Sequence, residues 1–320
     1  MIESLELAVT NLTSPPVLAF VLGLLAVGLR SKLEIPSQIF SALSIYLLLA
    51  IGIKGGVGLR NADPGQIAGP IALAIAVGLV IPIAAFAALK LLTPLDHVDR
   101  GAIAAHYGST SLVTFTAGLM FVESIGLETE GFLPTLLAIM EVPGLIVGLV
   151  LARKASTGQR WGALMHEVLT GKSILLLVGG LLIGAIAGPV GYERVEPFFG
   201  GLFVGLLTLF LLQLGIQAGS HLKELPQAGW GLLAFALAFP LLAGFVGVAL
   251  AGWVGLSVGG AAVFGILCAS ASYIAAPAAV KLSLPKANPG FYLTASLGIT
   301  FPFNLIVGIP AYVWFAQLLA

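Results

Sequence analysis

Two short clusters of small and hydroxyl-bearing residues interrupt apolar stretches of this sequence. The first comprises Gly108, Ser109, Thr110 and Ser111, and the second comprises Ala269, Ser270, Ser272 and Tyr273. If a helix breaks at each cluster, the N–H groups and the positive dipole ends of the following half-helices point at one shared space. The hydroxyl groups there both donate and accept hydrogen bonds. Together the clusters predict a site for a small oxyanion, whereas a single cluster would more simply bond back to its own helix or permit close helix packing.

One acidic side chain, Glu141, lies well inside an apolar stretch, which reads MEVPGLIVG. An ionisable group at that depth is costly, so it marks an ion path or a pairing partner. The corresponding stretch near the C-terminus, TFPFNLIVG, contains Thr300 and Asn304. Carboxylate, amide and hydroxyl oxygens suit a hard cation, so these three residues are candidate ligands for Na⁺. The alternative is that Glu141 lies close to the lipid headgroups and has no such role.

The composition excludes most classes of protein. Of 320 residues, 59% are apolar and only 9% are charged, and the mean hydropathy is +1.09. Soluble domains carry roughly 25% charged residues, so this chain is predicted to be a polytopic protein of the lipid bilayer. Nucleic-acid binding has no basic patch to depend on. The single cysteine excludes a disulfide framework, and because there is no HExxH or GxSxG motif we expect no enzyme.

Ten apolar stretches are long enough to cross a bilayer, which takes roughly 20 residues. They lie near 15–29, 38–53, 67–92, 101–122, 132–152, 173–189, 199–219, 227–251, 259–282 and 290–318. The hydroxyl clusters fall inside the fourth and the ninth stretch. The predicted fold is therefore an all-α membrane protein with ten transmembrane helices, of which the fourth and the ninth are broken and cross each other.

The two halves of the chain share a repeated pattern. Matching blocks are 12–25 with 169–182, 48–59 with 211–222, 109–111 with 270–272, and 144–148 with 304–308. Their offsets of 157, 163, 161 and 160 residues are nearly constant, which indicates a tandem duplication. The predicted units are a five-helix repeat at 1–152, a short cytoplasmic linker at 153–172 and a second repeat at 173–320. An odd number of crossings per repeat gives the two units inverted topology.

The distribution of basic residues predicts the orientation. Eleven of the 14 Lys and Arg residues fall in loops on one side, which the positive-inside rule makes cytoplasmic. These are Arg30, Lys32, Lys90, Arg100, Arg153, Lys154, Arg160, Lys172, Lys223, Lys281 and Lys286. Lys54, Arg60 and Arg194 remain on the other side. Both termini are therefore predicted to be extracytoplasmic.

Five blocks are the most distinctive of the chain: RSKLEIP (30–36), LLLAIGIKGGVGL (47–59), HYGSTSLVTF (106–115), EVPGLIVG (141–148) and SASYIAAPAAVKLSLPKANP (270–289). Through them the sequence resembles the sodium-dependent bicarbonate permease family known from cyanobacteria. The resemblance implies a homotrimer in the bacterial inner membrane that imports bicarbonate with Na⁺ by an elevator-like motion. Both ions would bind where the broken helices meet. Members that bind a PII-like signalling protein commonly have a longer stretch between the halves than residues 153–172, which argues against that partner.

The expected function is thus Na⁺-coupled bicarbonate symport. The hydroxyl clusters suit other small anions equally well, so a carrier of an organic carboxylate with Na⁺ or H⁺ coupling is an alternative. Coupling to H⁺ would depend on His106 or Glu141. A sensor that binds the anion without moving it is a further alternative.

Overall fold

Helices account for the regular structure of this chain. The computed structural model describes residues 7, 9–152, 161–221 and 225–320, and these contain no strand. The helices are α1 Pro15–Gly28, α2 Ser37–Asn61, α3 Pro64–Leu92, α4 His97–Gly108, α5 Leu112–Ser124, α6 Leu133–Ala152, α7 Trp161–Leu169, α8 Lys172–Glu193, α9 Phe203–His221, α10 Leu225–Trp253, α11 Val258–Ala269, α12 Ala276–Ser283 and α13 Pro289–Leu319. The all-α prediction is confirmed for the described residues.

Among the described residues, seven helices are long and apolar enough to cross a membrane. They are α2, α3, α6, α8, α9, the part of α10 from Gly229, and α13, and they match seven of the ten predicted stretches. The first predicted stretch contains α1, which has only 14 residues and follows helical residues 9–12. The fourth and the ninth are each divided into two shorter helices. The chain is a multi-pass membrane protein.

The helix α2 extends further than predicted, to Asn61 instead of about residue 53. The extension contains Lys54 and Arg60, and both cations have partners within the protein. Lys54 Nζ lies 3.1 Å from Glu123 Oε1. The Arg60 guanidinium donates to the carbonyl oxygens of Ala185 at 3.1 Å and Ile186 at 3.0 Å, next to a kink in α8. These contacts allow a helix to continue past two charged residues.

The region predicted as a linker, 153–172, contains a helix, α7, that the sequence analysis did not predict. The four basic residues Arg153, Lys154, Arg160 and Lys223, used above to orient the chain, lie outside the described residues.

The helices form two groups by their packing. α1, α2, α8 and α9 make up the four-helix group, in which α2 packs on α8 and α1 packs on α9. The larger group contains α3–α6 and α10–α13, with α3 and α4 packed on α6, and α10 and α13 packed on α11. The two groups meet where α2 contacts α6 and where α9 contacts α13.

Two glycine pairs permit close contact within the four-helix group. A Cβ on Gly23 of α1 would lie 2.9 Å from the Cα of Gly215 on α9. A Cβ on Gly52 of α2 would lie 2.9 Å from the Cα of Gly180 on α8. At each site a larger residue would force the helices apart, because membrane helices that pack this closely need small residues at the contact.

The same surfaces show how the helices run. One turn after Gly52, a Cβ on Gly56 would lie 2.8 Å from the nitrogen of Ala185, so α2 and α8 run parallel. One turn after Gly215, a Cβ on Gly219 would lie 3.1 Å from the Cβ of Val27, so α1 and α9 also run parallel.

Candidate functional site

The first hydroxyl cluster separates two helices. α4 ends at Gly108 and α5 begins at Leu112. Between them Ser109 (φ −92°, ψ 123°) and Ser111 (φ −98°, ψ 113°) have extended backbone. Ser111 Oγ accepts a hydrogen bond from the nitrogen of Thr114 at 3.2 Å and so caps α5. The break predicted from these residue types is confirmed.

The second cluster breaks its helix in the same way. α11 ends at Ala269 and α12 begins at Ala276, and Ser270 between them has extended backbone (φ −84°, ψ 157°). Ser270 Oγ donates to the carbonyl oxygen of Leu267 at 2.8 Å and accepts from the nitrogen of Ser111 at 2.9 Å. This serine therefore joins the second break to the first.

Backbone hydrogen bonds connect the two breaks directly. The nitrogen of Ser272 lies 2.7 Å from the carbonyl oxygen of His106 and 2.8 Å from that of Ser109. These contacts supply partners for backbone groups that no helix satisfies, which is essential within a bilayer. The structure thus brings together two clusters that are 161 residues apart in sequence.

A small cavity lies beside the joined breaks. Its lining comprises Thr110, Ser111, Leu112, Glu141, Ser272, Tyr273, Ile274 and Ala275 from the larger group, and Leu48 and Ser173 from the four-helix group. The cavity therefore lies at the boundary between the two groups. Its free volume is about 10 Å³, enough for about one water molecule.

Glu141 lines this cavity from α6. Its side chain is only 5% exposed, and it makes no hydrogen bond or ion pair with any described residue. A buried charge without a partner is strongly destabilising. A carboxylate in this position is stabilised either by a bound cation or by protonation, and a sodium-binding role for Glu141 stays a prediction.

Two further residues of the first cluster, Ser109 and Gly108, differ in their surroundings. Ser109 Oγ is buried and has no hydrogen-bond partner among the described residues. Gly108 packs against Gly144 of α6 so closely that a Cβ on Gly144 would lie 1.7 Å from the carbonyl oxygen of Gly108. The end of α4 is thus held by backbone packing. Ser109 is fully buried and, like Gly108, Ala269 and Ser270, does not line the cavity, whereas Thr110, Ser111, Ser272 and Tyr273 do.

The other candidate sodium ligands, Thr300 and Asn304, lie on α13, outside the cavity lining, and have protein partners. Thr300 Oγ1 donates to the carbonyl oxygen of Ala236 at 2.7 Å and contacts the hydroxyl of Tyr107. Asn304 Nδ2 donates to the carbonyl oxygen of Ala269 at 2.7 Å. These bonds hold the ends of α4 and α11 near the breaks. A direct sodium role for the two residues stays a prediction.

Sequence reasoning missed five residues of the cavity lining: Leu48, Leu112, Ser173, Ile274 and Ala275. Leu112, Ile274 and Ala275 adjoin the predicted clusters, whereas Leu48 and Ser173 belong to the four-helix group, with Ser173 in the first turn of α8. The sequence placed Ser173 only at the start of a predicted apolar stretch, 173–189. Which face of that helix meets the breaks depends on tertiary packing, and no local pattern records it.

A bundle of apolar helices with a polar cavity between two packed groups is typical of membrane transport proteins. The sequence matches the model of the Na⁺-dependent bicarbonate transporter superfamily over residues 15–317. The chain belongs to that superfamily, which confirms the resemblance found in the sequence. Comparison with curated proteins gives no match.

Proposed function

We propose that the protein is a symporter that imports bicarbonate together with Na⁺. One observation supports this beyond the superfamily: Glu141 lines the same cavity as the hydroxyls of Thr110, Ser111 and Ser272, and the described lining contains no Lys or Arg. Such a cavity binds a small anion well only when a mobile cation balances the carboxylate. Sodium supplies that charge.

The proposed anion site contains residues of both breaks: Gly108, Ser109, Thr110, Ser111, Ala269, Ser270, Ser272 and Tyr273. The first turns of α5 and α12 contribute N–H groups and the positive ends of two helix dipoles. The unpartnered Ser109 hydroxyl donates to a bicarbonate oxygen, and backbone carbonyls accept the hydrogen of bicarbonate itself.

The proposed sodium site is centred on the Glu141 carboxylate. Hydroxyl and carbonyl oxygens of the adjoining break complete an oxygen shell of the kind that hard cations prefer. Thr300 and Asn304 are weaker candidates, because each already donates to a backbone carbonyl. On this proposal they act mainly by fixing the helix ends that surround the ions.

The proposed architecture is a ten-helix inverted repeat, with units at 1–152 and 173–320 and a cytoplasmic linker at 153–172. The glycine contacts support it. Gly180 is the repeat counterpart of Gly23 at an offset of 157 residues, and Gly215 is the counterpart of Gly52 at an offset of 163 residues. Exchanging the two halves therefore converts the Gly23–Gly215 contact into the Gly180–Gly52 contact, as a two-fold axis requires.

Helix directions support the inversion. The short connection between α1 and α2 makes them antiparallel if both cross the membrane, whereas α2 runs parallel to α8. The helix α1 is then antiparallel to its repeat counterpart α8.

The contacts at the breaks follow the same relation. Gly108 packs on Gly144 in the first half, and Ala269 binds Asn304 in the second, at offsets of 161 and 160.

The proposed transport cycle is an elevator-like movement of the larger group past the four-helix group. The ion-binding residues all belong to the larger group, while Leu48 and Ser173 of the four-helix group cover them. Because the site lies on the larger group and the four-helix group covers it, the site opens when the two groups move relative to each other.

The proposed setting is a homotrimer in the bacterial inner membrane with both termini extracytoplasmic. The ion pair between Lys54 and Glu123 agrees with this topology, since Lys54 follows the second predicted stretch and Glu123 follows the fourth, and both stretches end on the extracytoplasmic side. Regulation by a PII-like protein is not part of the proposal, because the stretch 153–172 is short.

The decisive experiment is counterflow of labelled bicarbonate into proteoliposomes, with and without a Na⁺ gradient. Symport predicts accumulation that requires Na⁺ and that other small carboxylates do not suppress. Stronger competition by formate or acetate would indicate a different anion, and uptake driven by a pH gradient without Na⁺ would indicate H⁺ coupling. Retained binding without any flux would indicate a sensor.

A further inference from the structure

The boundary between the two helix groups carries an ion pair on the side away from the cavity. Lys54 Nζ on α2 lies 3.1 Å from Glu123 Oε1 on α5, with the two side chains 55% and 40% exposed. It is the one salt bridge found within the described residues, and it joins the four-helix group to the larger group. Both side chains also line a separate cavity together with Tyr192 and Glu196.

The other exposed cations with hydrogen-bond partners on neighbouring helices stay within one group. Arg60 on α2 donates to carbonyl oxygens at Ala185 and Ile186 on α8. Lys172 on α8 donates to Ser41 on α2. These two contacts lie inside the four-helix group, so a relative movement of the groups leaves them intact. The Lys54–Glu123 contact does not survive such a movement.

The ion pair lies at a different level from the ion-binding cavity. Leu48 lines the cavity, and Lys54 follows it by six residues, which is about 9 Å along the helix axis. Glu123 follows Ser111 by 12 residues, about 18 Å along α5. Ser173, by contrast, lines the cavity from the first turn of α8. The cavity therefore lies near the middle of α2 and beside the first turn of α8, and the ion pair closes the boundary further along α2 and α5.

We propose that the Lys54–Glu123 ion pair is a closing contact, which holds the two groups together on the extracytoplasmic side and separates in every transport cycle. This inference rests on the proposed transport function. Exposed ion pairs are weak, so the contact shifts the ratio of the two conformations by about two- to fivefold and does not lock either one. That strength suits a contact that has to break repeatedly.

Cross-linking tests the proposal. Lys54→Cys with Glu123→Cys, in a Cys268→Ala background, is treated with a short bifunctional thiol reagent. We expect a cross-link within one chain, detected by intact mass, and a loss of uptake to background. The matched control is Arg60→Cys with Ile186→Cys, which joins α2 to α8 at the same end within one group and should retain uptake when cross-linked. Normal uptake by the cross-linked Lys54/Glu123 variant, or failure of this pair to react while the control pair does, would overturn the proposal.

Charge reversal provides a second test that does not need cross-linking. Lys54→Glu and Glu123→Lys each place like charges at the contact, while the double variant restores an ion pair of reversed polarity. The readout is labelling of a reporter, Thr116→Cys in the Cys268→Ala background, by a membrane-impermeant maleimide. Thr116 lines the cavity next to the ion pair. Faster labelling in both single variants and recovery in the double variant are expected, and equal labelling in all four proteins contradicts the closing role.

The outcomes separate this inference from the proposed function. If the unmodified protein shows no bicarbonate uptake, the transport function is wrong, while the reporter still shows whether the groups part. If uptake is normal and labelling does not respond to charge reversal, only the closing contact is wrong.

Discussion

Alanine at Ser109 and at Ser270 should affect the protein differently, because only one of the two hydroxyls has protein partners. Ser270 Oγ accepts from the nitrogen of Ser111 at 2.9 Å and donates to Leu267 at 2.8 Å. Ser270→Ala leaves the Ser111 N–H without that partner in a buried site, at a cost of about 1–3 kcal/mol. Ser109 Oγ has no hydrogen-bond partner among the described residues, so Ser109→Ala removes no hydrogen bond from the ligand-free protein.

Thermal unfolding in detergent separates the two effects. Without bicarbonate, Ser270→Ala should unfold at a lower temperature than the unmodified protein, and Ser109→Ala at the same temperature or slightly higher. Addition of sodium bicarbonate should stabilise Ser109→Ala much less than the unmodified protein. Loss of a hydrogen bond to bicarbonate of about 1–3 kcal/mol lowers the affinity for bicarbonate by about 5- to 150-fold. Uptake into proteoliposomes at low bicarbonate concentration should fall by a similar factor.

A suitable control is Ser220→Ala. Ser220 lies exposed on α9 and donates only to the carbonyl oxygen of Ile216, so neither unfolding nor uptake should change. If Ser109→Ala destabilises the ligand-free protein as much as Ser270→Ala does, the assignment of partners is wrong. If both site variants take up bicarbonate normally, the hydroxyl clusters are not the anion site.

Three further perturbations test other parts of the site. Glu141→Gln keeps the size of the side chain and removes its charge, so the Na⁺ concentration for half-maximal uptake should rise at least about tenfold; an unchanged value excludes Glu141 from sodium binding. Gly144→Ala places a Cβ 1.7 Å from the carbonyl oxygen of Gly108 and should abolish uptake. The control Gly179→Ala places a Cβ where no other atom lies within 4 Å, so uptake should not change. Equal uptake rates for the two variants would refute the packing argument. Replacing Na⁺ by K⁺ should remove most of the thermal stabilisation by bicarbonate, since linkage makes the two affinities reciprocal, and equal stabilisation in both salts would contradict coupled binding.

Local residue types were sufficient to predict the helix breaks. Ser, Thr and Gly favour helix caps and turns over helix interiors, so a run of them inside an apolar stretch signals an interruption wherever the rest of the fold lies. The length of the apolar stretches predicted most spanning helices for an equally local reason. Glu141 stood out because burial of a carboxylate needs a specific explanation.

The positions of Thr300 and Asn304 could not be predicted in the same way. Both lie in π-helical segments of α13, Thr294–Thr300 and Asn304–Gly308. Each π turn changes the register of the helix, so a period of 3.6 residues does not indicate which side chains face the cavity. The Lys54–Glu123 pairing depends likewise on how two separate helices pack, and the sequence placed the residues on one side of the membrane without predicting contact.

The scarcity of charge in this protein has a direct consequence for coupling. A fixed Lys or Arg in the cavity would attract the anion whether or not sodium were present, and bicarbonate could then move alone. The described lining offers hydroxyls, helix ends and one carboxylate instead. That carboxylate repels an anion until a cation neutralises it, and the cation has to come from solution. On this reasoning, bicarbonate binding depends on sodium because the anion meets an uncompensated carboxylate until a cation binds, and linkage then makes each ion raise the affinity for the other.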